Sequence, residues 1–127
     1  MLIEFDGFMK IPAKKNNMKF NTKTKKMYKP HDIRAFEEYL ADLAMEKKRE
    51  WEMEMGRAWP MNCEYYLKVE VVYGDKRRRD VQNIFGSVCD SLNGVLYEDD
   101  SQVRRIAAQK HYDKDTWQFN IRLETER

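Results

Sequence analysis

The chain has 127 residues, enough for one domain with a buried core and few for two. Charged residues make up 36% of the sequence against the usual quarter, and 42% are hydrophobic, so the composition predicts a globular domain with a heavily charged surface. No apolar run approaches the roughly 20 residues that span a bilayer, and the acidic start MLIEFDGF is unlike the basic start of a signal peptide, so we expect a cytoplasmic protein without membrane contact.

The first 30 residues contain a predicted strand and a basic loop. Residues 1–11 are rich in β-favouring side chains, which predict a strand with a bend near Gly7. Residues 14–30 have lysine as their only charged residue and predict an irregular or hairpin-like loop. This segment is the first of two positively charged regions.

A long helix and a central strand follow the basic loop. Apolar residues recur at helical spacing from Ile33 to Trp51, with Asp32 as a suitable N-cap and Gly56 as a stop signal. Residues 63–73, CEYYLKVEVVY, alternate and are rich in β-branched and aromatic side chains. They predict a strand in the middle of a sheet.

The second half of the chain predicts a helix and two further strands. Residues 81–92 carry one apolar stripe, with Asp80 at or near the N-cap and Gly94 in the stop signal. After a short extended piece and a polar turn, residues 103–112 and 116–123 predict a hairpin across the sequence DKD. The order of elements predicts an α+β fold in which residues 1–127 form a single two-layer domain, a mixed sheet with two helices packed on it.

Several common kinds of site find no support in the sequence. Cys63 and Cys89 lack paired spacing, so we expect free, mostly buried thiols without a disulfide or a zinc site. His31 and His111 have no partner residues at a recognised catalytic spacing and are expected to be surface or core histidines. No glycine-rich loop precedes a helix, which argues against nucleotide hydrolysis.

Positive charge is concentrated in two regions on either side of a mostly acidic helix, although the net charge is only +2. Such separation suits a polyanionic partner, and a small protein that docks an acidic protein is the alternative. The candidate DNA-binding residues are Lys14, Lys15, Lys19, Lys76, Arg77, Arg78 and Arg79.

The aspartates at the ends of predicted elements are the candidate chemical groups. Asp80 lies where the basic run meets a helix, and Asp99 and Asp100 lie in the turn ahead of a strand. Carboxylates from two element ends can converge on Mg²⁺, which binds a few oxygen ligands and completes its shell with water and phosphate oxygens. A cation beside arginines suits phosphodiester hydrolysis, whereas a helix N-cap and turn acids are the structural alternative.

The sequences RRRDVQN and CDSLNGVLYEDDSQV together resemble the RusA family of Holliday junction resolvases. The family pattern begins with a basic run and Asp-x-Asp-Asn. A helix follows with a lysine in its second turn and an Asp-Ala-Leu, and then a Gly-containing stop and Asp-Asp-x-Gln-[Val/Ile]. Residues 11–40 look more loosely like the family's basic loop and long helix. The positions that match in order and spacing are Asn83, Asp90, Leu92, Gly94, Asp99, Asp100, Gln102 and Val103.

The resemblance implies a RusA-like fold and a homodimeric endodeoxyribonuclease, often encoded by prophages, that cuts four-way or branched DNA in recombination and repair. It implies Mg²⁺ as the cofactor, with Mn²⁺ as a substitute. The resemblance also implies a cluster of aspartates in each subunit: by motif position, Asp80 and Asp100 would be catalytic, and Asp80, Asp99 and Asp100 would hold the metal.

Two residues depart from the family pattern. Gln82 occupies the place of the second aspartate, and Gly86 occupies the place of the helix lysine. Gln82 can offer a neutral oxygen to a metal but adds no negative charge, and loss of the lysine removes a cation that could stabilise phosphate charge. The alternative function is therefore a RusA-like protein that binds branched DNA without cutting it. Asp75 could compensate for Gln82, whereas Asp90 lies about 15 Å along the helix from Asp80, too far to share its cation.

Overall fold

The computed structural model describes residues 1–12, 19–21, 23, 26–28, 31–77 and 81–126. Within these residues the chain forms two α-helices and six strands. In chain order they are β1 (Leu2–Gly7), β2 (Lys19–Asn21), β3 (Lys26–Tyr28), α1 (His31–Met55), β4 (Glu64–Tyr73), α2 (Val81–Leu92), β5 (Val103–Tyr112) and β6 (Gln118–Glu126). A 3-10 turn, Asp100–Gln102, leads into β5.

Four of the strands form one mixed sheet in the order β1-β6-β4-β5. β4 lies inside the sheet, antiparallel to β6 and parallel to β5. Its burial alternates along the strand, because one face packs on the core and the other faces outward. The fold is therefore α+β with two helices packed with a mixed sheet, as the sequence predicts. The buried side chains of β4 are Tyr65, Leu67, Val69, Val71 and Tyr73.

The two helices supply the other side of the core. α1 buries apolar side chains at helical spacing, among them Phe36, Leu40 and Ala44. In α2, Val88 and Leu92 lie one turn apart and are fully buried.

Both helices end where predicted, α1 at Met55 before Gly56 and α2 at Leu92, and α2 also begins at the predicted Val81. α1 begins at His31, so Asp32 lies in its first turn and is not the predicted N-cap.

The final two strands do not form the hairpin that the sequence predicts. β5 and β6 lie on opposite sides of β4, and the connection between them crosses the end of β4. Backbone hydrogen bonds from Asp113 to Tyr73 and from Asp115 to Gly74 fix this crossing, at 3.0 and 2.9 Å. β5 pairs with β4 instead because α2 provides the crossover that two parallel strands require.

The first strand is shorter than predicted, because β1 ends at Gly7 and not near Ile11. A Cβ atom at Gly7 would lie 2.1 Å from the Phe119 ring, so glycine is needed for close packing of β1 on this side chain. The predicted strand is therefore confirmed over Leu2–Gly7, where it pairs with β6 in unbroken register. The predicted hairpin-like basic loop is confirmed where it is described, since β2 and β3 pair antiparallel.

A group of buried aromatic side chains packs at the beginning of β4. The ring centroids of Trp51 and Trp59 lie 5.1 Å apart, and those of Tyr65 and Tyr97 lie 5.8 Å apart. Trp59 donates its indole N–H to the Leu96 carbonyl oxygen at 2.8 Å. These contacts anchor the segment that leads to the acidic turn.

The two cysteines meet the sequence expectation. Cys63 and Cys89 are free thiols, half-buried and buried respectively. In the part of the chain that the structure describes, no helix is both long and apolar enough to cross a membrane.

Candidate functional site

The predicted acidic pair lies at the 3-10 turn ahead of β5. Asp99 caps this turn, and its Oδ2 accepts a hydrogen bond from the backbone N–H of Ser101 at 3.1 Å. In return, the Gln102 side chain accepts from the backbone N–H of Asp99 at 2.9 Å, which completes a capping box. The hydrogen bonds from Ser101 lower the pKa of Asp99 below its usual value. We call residues Asp99–Gln102 the acidic turn.

Gln102 ties the acidic turn to the segment ahead of β4. Its Oε1 also accepts from the backbone N–H of Glu98 at 3.0 Å, while its Nε2 donates to the carbonyl oxygens of Met61 and Cys63 at 2.8 and 2.9 Å. An amide side chain has two N–H donors and two acceptor lone pairs, so Gln102 satisfies its full hydrogen-bonding capacity. Four backbone groups, those of Met61, Cys63, Glu98 and Asp99, are thereby bonded to the Gln102 side chain. A fifth, the N–H of Ser101, is bonded to the Asp99 side chain.

Asp100 is exposed and opens the 3-10 turn near the C-terminal half of α2. Burial raises the pKa of the Cys89 thiol to about 11, and the negative charges of Asp100 and Asp90 act in the same direction. Burial also raises the pKa of Tyr97, whose hydroxyl donates to the Cys89 carbonyl oxygen at 2.9 Å. Asp100 therefore lies close enough to this part of α2 for its charge to act on groups there.

The described part of the second basic region lies at the other end of α2. Lys76 and Arg77 are exposed and follow the end of β4. The backbone N–H of Arg77 donates to Asp75 Oδ1 at 3.1 Å, and the Lys76 ammonium lies 5.4 Å from the centre of the Tyr112 ring. The end of β4 thus directs positive charge outward beside the end of β5.

The two positions that depart from the family pattern share one side of α2. Gln82 is exposed, and Gly86 and Asp90 follow it at intervals of four residues, which places all three on one helix face. A Cβ atom at Gly86 would meet nothing within 4 Å. A side chain at this position therefore has room.

α2 separates the two charged regions along its length. The helix has 12 residues, and at about 1.5 Å per residue its first and last Cα atoms lie about 17 Å apart. Val81, which follows Asp80 in the sequence, begins α2, whereas the acidic turn packs near its other end. Among the described residues, no three His, Cys, Asp or Glu side chains are grouped closely enough to hold a metal ion. Asp99 and Asp100 offer the oxygen ligands that Mg²⁺ prefers, but a complete metal site needs a ligand from beyond this group.

The predicted site residues fall into three groups. The structure brings Asp99 and Asp100 together in the acidic turn and places Lys76 and Arg77 at the end of β4. It describes the backbone of Lys19 in β2, without its side chain. The remaining predicted residues lie outside the described part of the chain: Lys14, Lys15, Arg78, Arg79 and Asp80.

Three side chains of this region were not among the predicted site residues. Gln102 belongs to the family motif, and this was the sequence signal that could have identified it. Two of its four hydrogen bonds, however, go to Met61 and Cys63, which are distant in sequence. Lys110 and Tyr112 lie at the end of β5, beside Lys76 and Arg77. The parallel pairing of β4 and β5 brings them there. The sequence predicted a hairpin of the last two strands instead, so this proximity was not predicted.

Comparison with known proteins gives one family. A family model described as endodeoxyribonuclease RusA matches residues 11–124, which include both basic regions, α2 and the acidic turn. No curated protein matches the chain closely enough to count as a relative.

Proposed function

The chain belongs to the RusA family of endodeoxyribonucleases, and from that premise we propose that it resolves Holliday junctions by metal-dependent cleavage of four-way DNA. The observation that best supports this proposal is the acidic turn. Its Asp99 carboxylate accepts a backbone hydrogen bond, and the saturated amide of Gln102 ties the turn that carries both carboxylates to the segment ahead of β4. Preorganised carboxylates are what a metal-dependent nuclease needs.

The proposed roles follow from charge and position. Mg²⁺, or Mn²⁺ in its place, would be held by Asp80, Asp99 and Asp100, and when bound it would activate water and stabilise charge on the phosphate. Lys76 and Arg77 are exposed at the opposite end of α2 from the acidic turn, and there they would bind the DNA backbone. Lys14, Lys15, Lys19, Arg78 and Arg79 would extend this basic surface.

The length of α2 favours a site completed between two subunits of a homodimer. Ligands of one Mg²⁺ lie about 2.1 Å from the ion, so carboxylates that share it must nearly touch. In one subunit, α2 lies between Val81 and the acidic turn, with its ends about 17 Å apart. A two-fold axis would allow Asp80 to meet Asp100 of the partner subunit, and it would also match a junction that presents two equivalent strands.

Mixing two inactive variants tests the shared site. We expect Asp80→Asn and Asp100→Asn each to abolish cleavage, and a mixed dimer of the two to regain one intact site and nick the junction. If both variants are inactive and their mixed dimer is inactive too, the ligands come from the same subunit. Sedimentation should give roughly twice the chain mass of 15.4 kDa, and a monomer both free and on junction DNA would contradict the dimer.

Gln82 and Gly86 favour a second candidate function, junction binding without cleavage. A neutral amide in place of an acid weakens cation binding, and glycine in place of lysine removes a cation near the phosphate. A synthetic four-way junction incubated with Mg²⁺ or Mn²⁺, beside a gel shift without metal, distinguishes the two. Symmetric nicks support the resolvase, and a shift without nicks supports the binding protein. If the junction is neither nicked nor shifted, the alternative of a protein that docks an acidic partner is favoured.

A further inference from the structure

A cavity of about 420 Å³ opens at the C-terminal ends of β4 and β5. Its lining includes Lys76 and Arg77 from the loop after β4, and Lys110 and Tyr112 from β5. These residues are brought together by the parallel register, in which Tyr73 pairs with Tyr112 and Val71 with Lys110. The cavity is therefore built by the fold and not by one flexible loop.

The charged groups around the cavity favour an anion. Lys76, Arg77 and Lys110 contribute three cations, and Asp75 contributes one carboxylate. The Asp75 side chain accepts the backbone N–H of Arg77 at 3.1 Å, so part of its hydrogen-bonding capacity serves the loop itself. Cations supplied from two chain segments can surround a phosphate group on more than one side.

Tyr112 holds one of these cations in position. The Lys76 ammonium lies 5.4 Å from the centre of the Tyr112 ring, within the range of a cation–π contact. Tyr112 itself is 48% exposed. The arrangement recurs nearby, where the Lys10 ammonium lies 5.8 Å from the centre of the Trp117 ring. Lys10 and Arg77 both line a second cavity of about 560 Å³, together with Asp32, so Arg77 lines both cavities at this end of the sheet.

The cavity also lies close to the family motif along the chain. Arg77 precedes Asp80 by three residues, and three residues span at most about 11 Å. One DNA strand rises about 3.4 Å per nucleotide in a duplex, so this reach covers about three nucleotides. A phosphate bound beside Arg77 would therefore lie within about three nucleotides of the proposed cleavage site.

We infer that the cavity between the ends of β4 and β5 is a phosphate-binding subsite for a DNA strand, with Lys110 as a direct ligand and Tyr112 as the residue that positions Lys76. The inference rests on the proposed function, since it assigns the flanking phosphate of the same substrate. It adds β5 to a DNA surface that the sequence places only in the two basic regions.

Lys110→Ala is the first test, measured as binding of a four-way junction without metal across a range of salt concentrations. Loss of one phosphate contact should reduce the slope of log K against log salt by about 0.9. Lys68→Ala is the matched control, because Lys68 is an exposed lysine on β4 that faces away from the core and does not line this cavity. It removes the same charge and should leave the slope unchanged.

Tyr112 variants test the positioning role. Tyr112→Phe keeps the ring face and should bind as the wild type does, whereas Tyr112→Ala should weaken binding about as much as Lys76→Ala. Combined with Lys76→Ala, it should add little, because both changes remove the same positioned cation. Fully additive losses would contradict this role.

The outcomes separate this inference from the proposed function. If the wild type binds the junction but Lys110→Ala and Lys68→Ala behave alike, the subsite is wrong and the proposed function stands. If the wild type does not bind junction DNA at all, both fail. Should Tyr112→Ala not fold, Lys110→Ala and Tyr112→Phe still decide the matter.

Discussion

The two ends of α2 hold their charged side chains in different ways. Near the C-terminal end, the acidic turn is fixed by a capping box and by the four hydrogen bonds of Gln102. Near the N-terminal end, Lys76 and Arg77 are exposed, and Lys76 is positioned by an aromatic ring. The Asp99 carboxylate is therefore held by the backbone, and the Lys76 ammonium by the face of an aromatic side chain.

This difference suits the two tasks of the proposed function, metal binding and phosphate binding. A metal site loses its ligand geometry if carboxylates move by even about 0.5 Å, so rigid backbone support suits the acidic turn. Phosphate binding depends mainly on charge and tolerates adjustment of long side chains, which suits the basic end. Changes in the acidic turn should consequently affect stability and catalysis, whereas changes at the basic end should affect DNA affinity.

Gln102→Glu should have the largest effect on stability. It replaces the two N–H donors with carboxylate oxygens that face the carbonyl oxygens of Met61 and Cys63. An unsatisfied buried acceptor costs about 1–3 kcal/mol, and because Gln102 is only half-buried we expect a total loss of about 2 kcal/mol. Urea unfolding at pH 7 measures it.

Gln109→Glu is the matched control for this change. Gln109 lies on β5, the strand that follows the acidic turn, and is exposed, so its substitution should alter the free energy of unfolding by less than about 0.5 kcal/mol. Equal losses for the two variants would mean that the amide of Gln102 does not hold the acidic turn, and the contrast between the two ends of α2 would disappear.

Gln82→Asp tests whether the basic end of α2 lacks an acid that the chemistry requires. If the metal site is weakened by this one neutral residue, the added charge should raise cation affinity and increase junction cleavage about tenfold, which corresponds to about 1.4 kcal/mol. Asp100→Asn in the same background should remove the gain. If Gln82→Asp changes neither quantity and Asp80→Asn is also silent, the aspartates are caps and turn residues, and the nuclease proposal fails.

Gly86→Ala should stabilise the protein by about 1 kcal/mol, because glycine is a poor helix former and a new Cβ meets nothing within 4 Å. Gly86→Lys should give similar stability and add the cation that the family pattern has here. Any further gain in cleavage over Gly86→Ala then measures the charge alone. Gly94→Ala is the control of opposite sign, because Gly94 has φ of +75° and a side chain there is strained. If Gly86→Ala destabilises the chain, another subunit or segment covers this face of α2.

The local signals in the sequence predict the helices closely. α2 begins and ends at the predicted residues because its apolar stripe and Gly94 are both local features. The pairing of β5 was predicted wrongly because the DKD turn is compatible with a hairpin. The order strand, helix, strand from Glu64 to Tyr112 was the better signal, since parallel strands need such a crossover.

The candidate site was only partly predictable for the same reason. Asp99 and Asp100 could be found because turn acids and the family motif are contiguous in the sequence. The bonds of Gln102 reach back 41 and 39 residues to Met61 and Cys63, and no local pattern contains that information. The contact between Lys76 and Tyr112 likewise depends on strand register.

The smallest expected effect concerns the pH dependence of the acidic turn. Hydrogen bonds from Ser101 lower the pKa of Asp99 in the folded state, so its ionised form contributes stability above its ordinary pKa of 3.8, and this contribution is lost as the pH falls through the lower folded value. Asp99→Asn can still accept the capping hydrogen bond but does not titrate, so the variant should lose less stability than the wild type between pH 5 and pH 2 or so. Urea midpoints across that range measure the difference, with Glu70→Gln, an exposed carboxylate on β4, as the control. Because Asp99 is fully exposed, the difference should be small but of this sign; the same acid sensitivity in Asp99→Asn and wild type would show that its carboxylate is not held by the turn.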